Sequence, residues 1–345
     1  MEALELLNQM RDVSAQSINI GDYLIDVTKK LDRAVGICSF NSVPLFTLGN
    51  ISTITGKAKS RKTFLASSIA ASVISGECLG IKSENKGLAL YLDTEQSEYD
   101  VQRVAKRTLR LAALSPDENY PDLVMYALRS LSVEERIKML EATVEKHKPL
   151  FVIIDGIRDL LHDFNNIAES ASLVGLIMKL STENNCHIVS ILHQNKGDGN
   201  MRGHAGSELL NKSETVLEVS TSNDITTVKA IASRGMSPND IYFKVTTSGL
   251  PMQCNPPLKD DAKLYRAMAI IKKCLGQTSM THKKLLEEYS EKAGCSESSS
   301  KRSIADMLRE NIIEKDDQGL YRITRQISTP NTNESSIDDF EDLPY

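Results

Sequence analysis

The stretch from Leu48 to Ala66, LGNISTITGKAKSRKTFLA, constrains the fold of this chain more than any other. A β-branched apolar run, Ile51 to Thr55, meets Gly56; five residues follow, and Lys62-Thr63 then opens an apolar pattern of helical spacing. Strand, tight loop and helix in that order aim the loop amides and the helix N-terminus at one point, which suits an anion. The spacing is that of the phosphate-binding pattern G-x-x-x-x-G-K-[ST], with one departure. Arg61 stands where the pattern has glycine. On its own the stretch also fits a polar turn, because a side chain is costly where φ is positive. If it holds phosphates, the cradle is Gly56, Lys57, Ala58, Lys59, Ser60, Arg61, Lys62, Thr63 and Phe64. Lys62 then reaches the β/γ-phosphates of ATP and the Thr63 hydroxyl holds Mg2+. The Arg61 guanidinium either adds a phosphate contact or marks an altered loop.

The chain after Leu48 alternates strands and helices. Apolar runs at 88–92, 123–128, 150–156 and 187–192 read as strands, and 63–75, 99–114, 133–147 and 168–184 as helices. The helix at 99–114 carries Arg103, Lys106, Arg107 and Arg110 on a basic face. Further strand candidates are 214–219, 226–232 and 241–246, and His193–Gly206 reads as a polar loop. Such alternation implies an α/β domain with a mostly parallel sheet covered by helices. Three helices (262–275, 281–292, 296–310) and two short strands (312–315, 320–324) then follow, the order of a winged-helix module, a small α+β fold. Its third helix offers Lys301 and Arg302 to nucleic acid, although such modules also serve only as packing or protein contacts. The expected divisions are an N-terminal helical arm (1–44), the α/β domain (45–254), a proline-bearing linker (255–262), the winged-helix-like domain (263–326) and an acidic tail (327–345) of disordered composition.

Two carboxylates complete the nucleotide reading. LFVIIDG ends in Asp155, at the sheet edge where a magnesium-shell ligand belongs, unless it only caps a turn. LALYLDTEQ ends in Glu95, a candidate general base for the attacking water, with Asp93 as fallback. Gln194, or His193 beside it, ends another strand and is placed to sense the γ-phosphate.

In this order the pieces resemble the RecA-like core of hexameric helicases, nearest the RepA-type, DnaB-related ATPases of plasmids and mobile elements. GKAKSRKTFLA resembles that group's G-x-P-K-S-G-K-S-x-L-A loop, YLDTEQS its strand ending in glutamate, and LFVIIDGIRDL its Walker B strand. ILHQNKG resembles its H-x-x-K segment, RGHAGSELLNKSETVLEV its R-G-S-x-x-L segment, and KAIASRG its late basic strand. The likeness covers about 45–250 and implies a RecA fold, ATP hydrolysis and assembly into a ring or filament. It further implies Lys229 and Arg234 as basic fingers given to a neighbouring subunit, and Asn195, Lys196 and Arg202 as a channel loop along single-stranded DNA. The function expected is a DNA motor in replication or mobile-element transfer. The alternative is an ATP-switched DNA- or partner-binding regulator without translocation.

Composition narrows the setting. The net charge of −5 gives no whole-chain signal for nucleic acid, so any DNA grip is a local patch. No apolar run reaches the roughly 18–20 residues of a membrane span. The six cysteines form no C-x-x-C pair, which suits free thiols in the cytoplasm and argues against zinc. With no tryptophan in the chain and no aromatic residue in the 193–206 loop, binding to a DNA strand rests on phosphate contacts and weakens with salt.

Overall fold

The computed structural model describes residues 19–324, except 32, 196–200, 202, 223, 257–260, 277 and 311, with backbone alone at 22 and 261–266. Lys196, Arg202 and the tail from 327 lie outside the described residues. The chain divides into two compact units, Met1–Cys254 and Asn255–Tyr345.

The first unit is built on nine strands in the order β13-β12-β11-β10-β3-β9-β8-β6-β7. These are β3 (Ile51–Gly56), β6 (Ala89–Asp93), β7 (Leu123–Ala127), β8 (Phe151–Asp155), β9 (His187–His193), β10 (Thr215–Ser222), β11 (Ile225–Ser233), β12 (Ile241–Val245) and β13 (Pro251–Gln253). Strands β10, β3, β9, β8, β6 and β7 run parallel, and β11–β13 extend the sheet antiparallel. The central strands β3, β6 and β8 are buried throughout, as expected for parallel strands covered on both faces. One apolar core joins the sheet to α1 (Lys62–Ser75) and α2 (Glu98–Leu111). The other joins it to α3 (Val133–His147), α4 (Ile167–Glu183) and α5 (Gly203–Lys212). Because the crossovers are parallel, the carboxyl ends of β3, β9, β8 and β6 open on one edge. Gly56 there pairs with His193, and Asp93 with Asp155.

Three expectations need correction. Residues within the expected helical arm form β1 (Gly36–Phe40) and the start of β2 (Val43–Thr47), which join β4 (Glu77–Cys78) and β5 (Ile81–Ser83) in a second sheet beside α1. Of residues 19–35, only Ile20–Tyr23 form a turn of helix. Ile20, Tyr23, Leu24, Val27 and Leu31 are 69–92% exposed, so their helical spacing meets no surface among the described residues, and a short helix without packing is marginal. Third, α5 begins inside the expected 193–206 loop, where His204 and Ala205 donate to the Phe164 carbonyl.

The second unit holds α6 (Asp261–Leu275), α7 (His282–Ala293) and α8 (Glu297–Arg309) around its own core, including Ile271, Leu285, Ile304 and Met307. A three-stranded antiparallel sheet, β14-β16-β15, uses Met280–Thr281, Leu320–Ile323 and Ile313–Lys315.

Candidate nucleotide site at the sheet edge

The loop after β3 takes the shape that its spacing suggests. Gly56 has φ +154°, and a Cβ there would meet the Val219 carbonyl oxygen at 2.3 Å and Ser60 Oγ at 2.6 Å, so only glycine fits. Arg61 occupies the left-handed region with φ 69° directly before α1, a conformation costing a non-glycine residue ~1–2 kcal/mol. Its guanidinium turns to the β10–β11 turn. It donates to the Asp224 carbonyl (2.9 Å), to Thr226 Oγ1 (3.2 Å) and to the Asp224 carboxylate.

Lys62 is 6% exposed, and its Nζ donates to the carbonyls of Gly56 (3.1 Å) and Lys57 (2.9 Å). It also lies 3.0 Å from His193 Nδ1. An ammonium only donates, so Nδ1 accepts and the imidazole proton sits on Nε2. That Nε2 lies 3.6 Å from Glu95 Oε1, outside hydrogen-bond range but close enough for electrostatic attraction. Burial pulls the Lys62 ammonium below its ordinary pKa, while Asp155 and Glu95 push it back up. The His193 imidazole holds the Glu95 carboxyl below the usual carboxylate range.

Thr63 Oγ1 donates to Asp155 Oδ2 at 3.2 Å, and the fully buried Tyr91 hydroxyl donates to the same oxygen at 2.6 Å. Burial pushes Asp155 up to about 6. Asp93 is also buried, yet its carboxylate is taken up by the amides of Glu95 and Gln96 and by the Gln96 side chain. It shapes the turn that presents Glu95. Thr94 and Gly156 fix the neighbouring turn. The single Thr94 hydroxyl proton has the Asp155 and Gly156 carbonyls and the Asp159 carboxylate within reach as acceptors, and a Cβ on Gly156 would strike the hydroxyl oxygen at 2.2 Å.

The loop also holds an unused polar atom. Ser60 Oγ is buried and has no hydrogen-bond partner, a condition that costs free energy unless a ligand supplies one. The unpaired hydroxyl, the positive Lys62 and the Thr63–Asp155 pair fit a nucleotide phosphate with Mg2+.

Other expected residues fall elsewhere. The Gln194 carboxamide donates to Glu218 on β10 at 2.5 Å, so its side chain is engaged away from Lys62. His193 is the strand-end group beside Lys62 and Glu95. Lys229 on β11 is exposed, opposite Glu218 in the register. Arg234 donates to the Lys212 carbonyl at 2.8 Å. Asn195 is half-buried after β9. In the second unit Lys301 pairs with Glu297 at 2.6 Å, and Arg302 is exposed.

Arg107, expected on a solvent-facing basic face, points inward. It donates to Ser67 Oγ at 3.2 Å and stacks 4.1 Å from the Phe64 ring, bracing the first turn of α1. Its position three residues after Val104, on the apolar side of α2, is the signal that places it. Tyr91, Asp224 and Thr226 were not foreseen, and their sequence context carries no mark of the site.

Residues 43–199 match the model of a family described as AAA domain, a stretch that holds the loop, Glu95, Asp155 and His193 and covers less than half of the chain. No curated protein matches the chain. Among solved structures, the RadB recombinase superposes with a TM-score of 0.46 and 15% identity, over 61% of this chain and 94% of that one.

Proposed function

We propose that this chain binds MgATP at the edge of β3, β9 and β8, hydrolyses it, and works as a RecA/RepA-type motor on DNA. The observation that carries the reading is convergence: Lys62, Thr63, Asp155, Glu95 and His193 meet at one sheet edge beside a buried, unpaired Ser60 hydroxyl. In this reading Gly56–Phe64 cradles the phosphates and Thr63 and Asp155 hold Mg2+. The ion supplies charge neutralisation between the phosphates. Glu95, half-exposed and kept ionised by His193, accepts the proton of the attacking water.

Lys229 and Arg234 serve as fingers toward a neighbouring copy in a ring or filament. Asn195, Lys196 and Arg202 follow single-stranded DNA. The second unit, with its three helices and small sheet, acts as a winged-helix-like module offering Lys301 and Arg302. The exposed apolar residues of 19–35 supply a contact between copies. Among the described residues no helix is long and apolar enough to cross a membrane, in keeping with work on DNA in the cytoplasm.

The test is ATP turnover by the full chain with and without single-stranded DNA. DNA-stimulated turnover is expected, falling by about 10²–10⁴-fold in Glu95→Gln and lost in Lys62→Ala. Turnover indifferent to DNA moves the reading to an ATP-switched regulator. Nucleotide affinity unchanged in Lys62→Ala sinks the site itself.

A further inference from the structure

The departure at Arg61 has a counterpart across the sheet. Strands β10 and β11 form a hairpin whose turn reaches the nucleotide loop at four places. The Val219 carbonyl oxygen lies against Gly56, close enough to exclude a Cβ. Thr221 Oγ1 donates to the Ser60 carbonyl at 3.3 Å. Asp224 and Thr226 accept the Arg61 guanidinium. Asp224 is itself left-handed, with φ 62°, so two residues in an uncommon conformation face one another across this contact. The arginine side chain is 22% exposed and the aspartate 62%, so solvent reaches the pair mainly from the Asp224 side.

From this geometry we infer that Asp224, with Thr226, is a positioning residue for nucleotide. It holds Arg61 in the left-handed conformation that glycine adopts freely, and so sets the loop's shape from the neighbouring hairpin. The inference rests on the nucleotide reading of the loop. It makes the hairpin part of the site, although Asp224 touches no phosphate. The same hairpin carries Glu218, which holds Gln194, and Lys229, which lies opposite Glu218. A displacement of the hairpin therefore reaches the loop through Arg61 and the β9 strand end through Gln194.

The test is equilibrium binding of a fluorescent ADP with Mg2+ to the full chain, with melting of the nucleotide-free protein measured alongside. Asp224→Ala is expected to weaken binding about 3- to 10-fold, the scale of one net hydrogen bond in a partly exposed ion pair. Melting should stay near that of the parent, because the Asp224 side chain is largely exposed and an ion pair at such a site adds little to stability. Asp224→Asn, which keeps an acceptor oxygen, should restore most of the affinity. In the Arg61→Gly background Asp224→Ala should change nothing, since glycine needs no clamp. Parent-like affinity in Asp224→Ala, or an equal loss with and without Arg61, overturns the inference. Should Asp224→Ala fail to fold, Thr226→Val reads the same coupling to Arg61. A parent protein that binds neither MgADP nor MgATP overturns the nucleotide reading instead, a separate and earlier failure.

Discussion

Strand β9 carries a histidine at each end, and the two lie in opposite environments. His187, at the amino end, is wholly buried, stacks on Phe151 at 5.7 Å and donates from Nδ1 to the Thr47 carbonyl at 2.7 Å. Burial takes its pKa down to about 4, so it is neutral and acts as an aromatic core residue with one polar anchor. His193, at the carboxyl end, is 39% exposed and stands between an ammonium and a carboxylate. One strand thus has a packing end and a chemical end. The parallel arrangement separates them: every crossover brings loops to the carboxyl edge, where polar groups meet, while the amino edge closes over apolar rings.

The comparison can be broken from either side. The largest effect is expected from His187→Ala, which removes a stacked buried ring and should cost about 3–5 kcal/mol of unfolding free energy, leaving MgADP affinity intact in the folded protein. A loss of affinity without a loss of stability would erase the distinction. Next is pH. The unfolded chain protonates His187 near 6.5 and the folded chain near 4, so the unfolded state binds more protons between these values. Stability contributed by this residue is complete above pH 6.5 and falls as pH drops toward 4, by about 3 kcal/mol. Denaturant melts at pH 7 and pH 4.5 should show this slope flattened in His187→Gln. The smallest effect is on the other end: His193→Ala should lower ATP turnover about tenfold with little change in melting. Equal turnover would reduce His193 to a strand-end polar residue.

The same contrast explains what the sequence made legible. Strand β8 and the strand of the loop could be read because a continuous apolar run ending in Asp155 and a β-branched run ending in Gly56 leave few alternatives. The alternation of strands and helices followed for the same reason. Strands β1, β2, β4 and β5 escaped because each has two to five residues and the two short hairpins they form meet only through β1 and β5, far apart in the chain. The apolar spacing at 20–31 suggested a helix because periodicity reports a face and says nothing of what covers it. Within the site, residues set by the local pattern were placed: Lys62, Thr63, Glu95 and Asp155. Those recruited through the fold, Tyr91, Arg107 and Asp224, were not, since their partners lie 40 or more positions away. Gln194 shows the limit of local context, because its strand-end position was right and its side chain belongs to Glu218.

One property of α1 bears on how such a site could drive anything. Eleven of its fourteen residues are buried, and Ser67, Ser68, Ser72 and Ser75 return their hydroxyls to the helix's own carbonyls, so the rod is encased on all sides. Arg107 braces its first turn. Such a helix is an anvil and a poor lever, because close-packed surroundings give it nowhere to tilt. In the proposed motor, work done at the loop would leave by the lighter parts around it, the hairpin and the strand ends, with the helix as the fixed point.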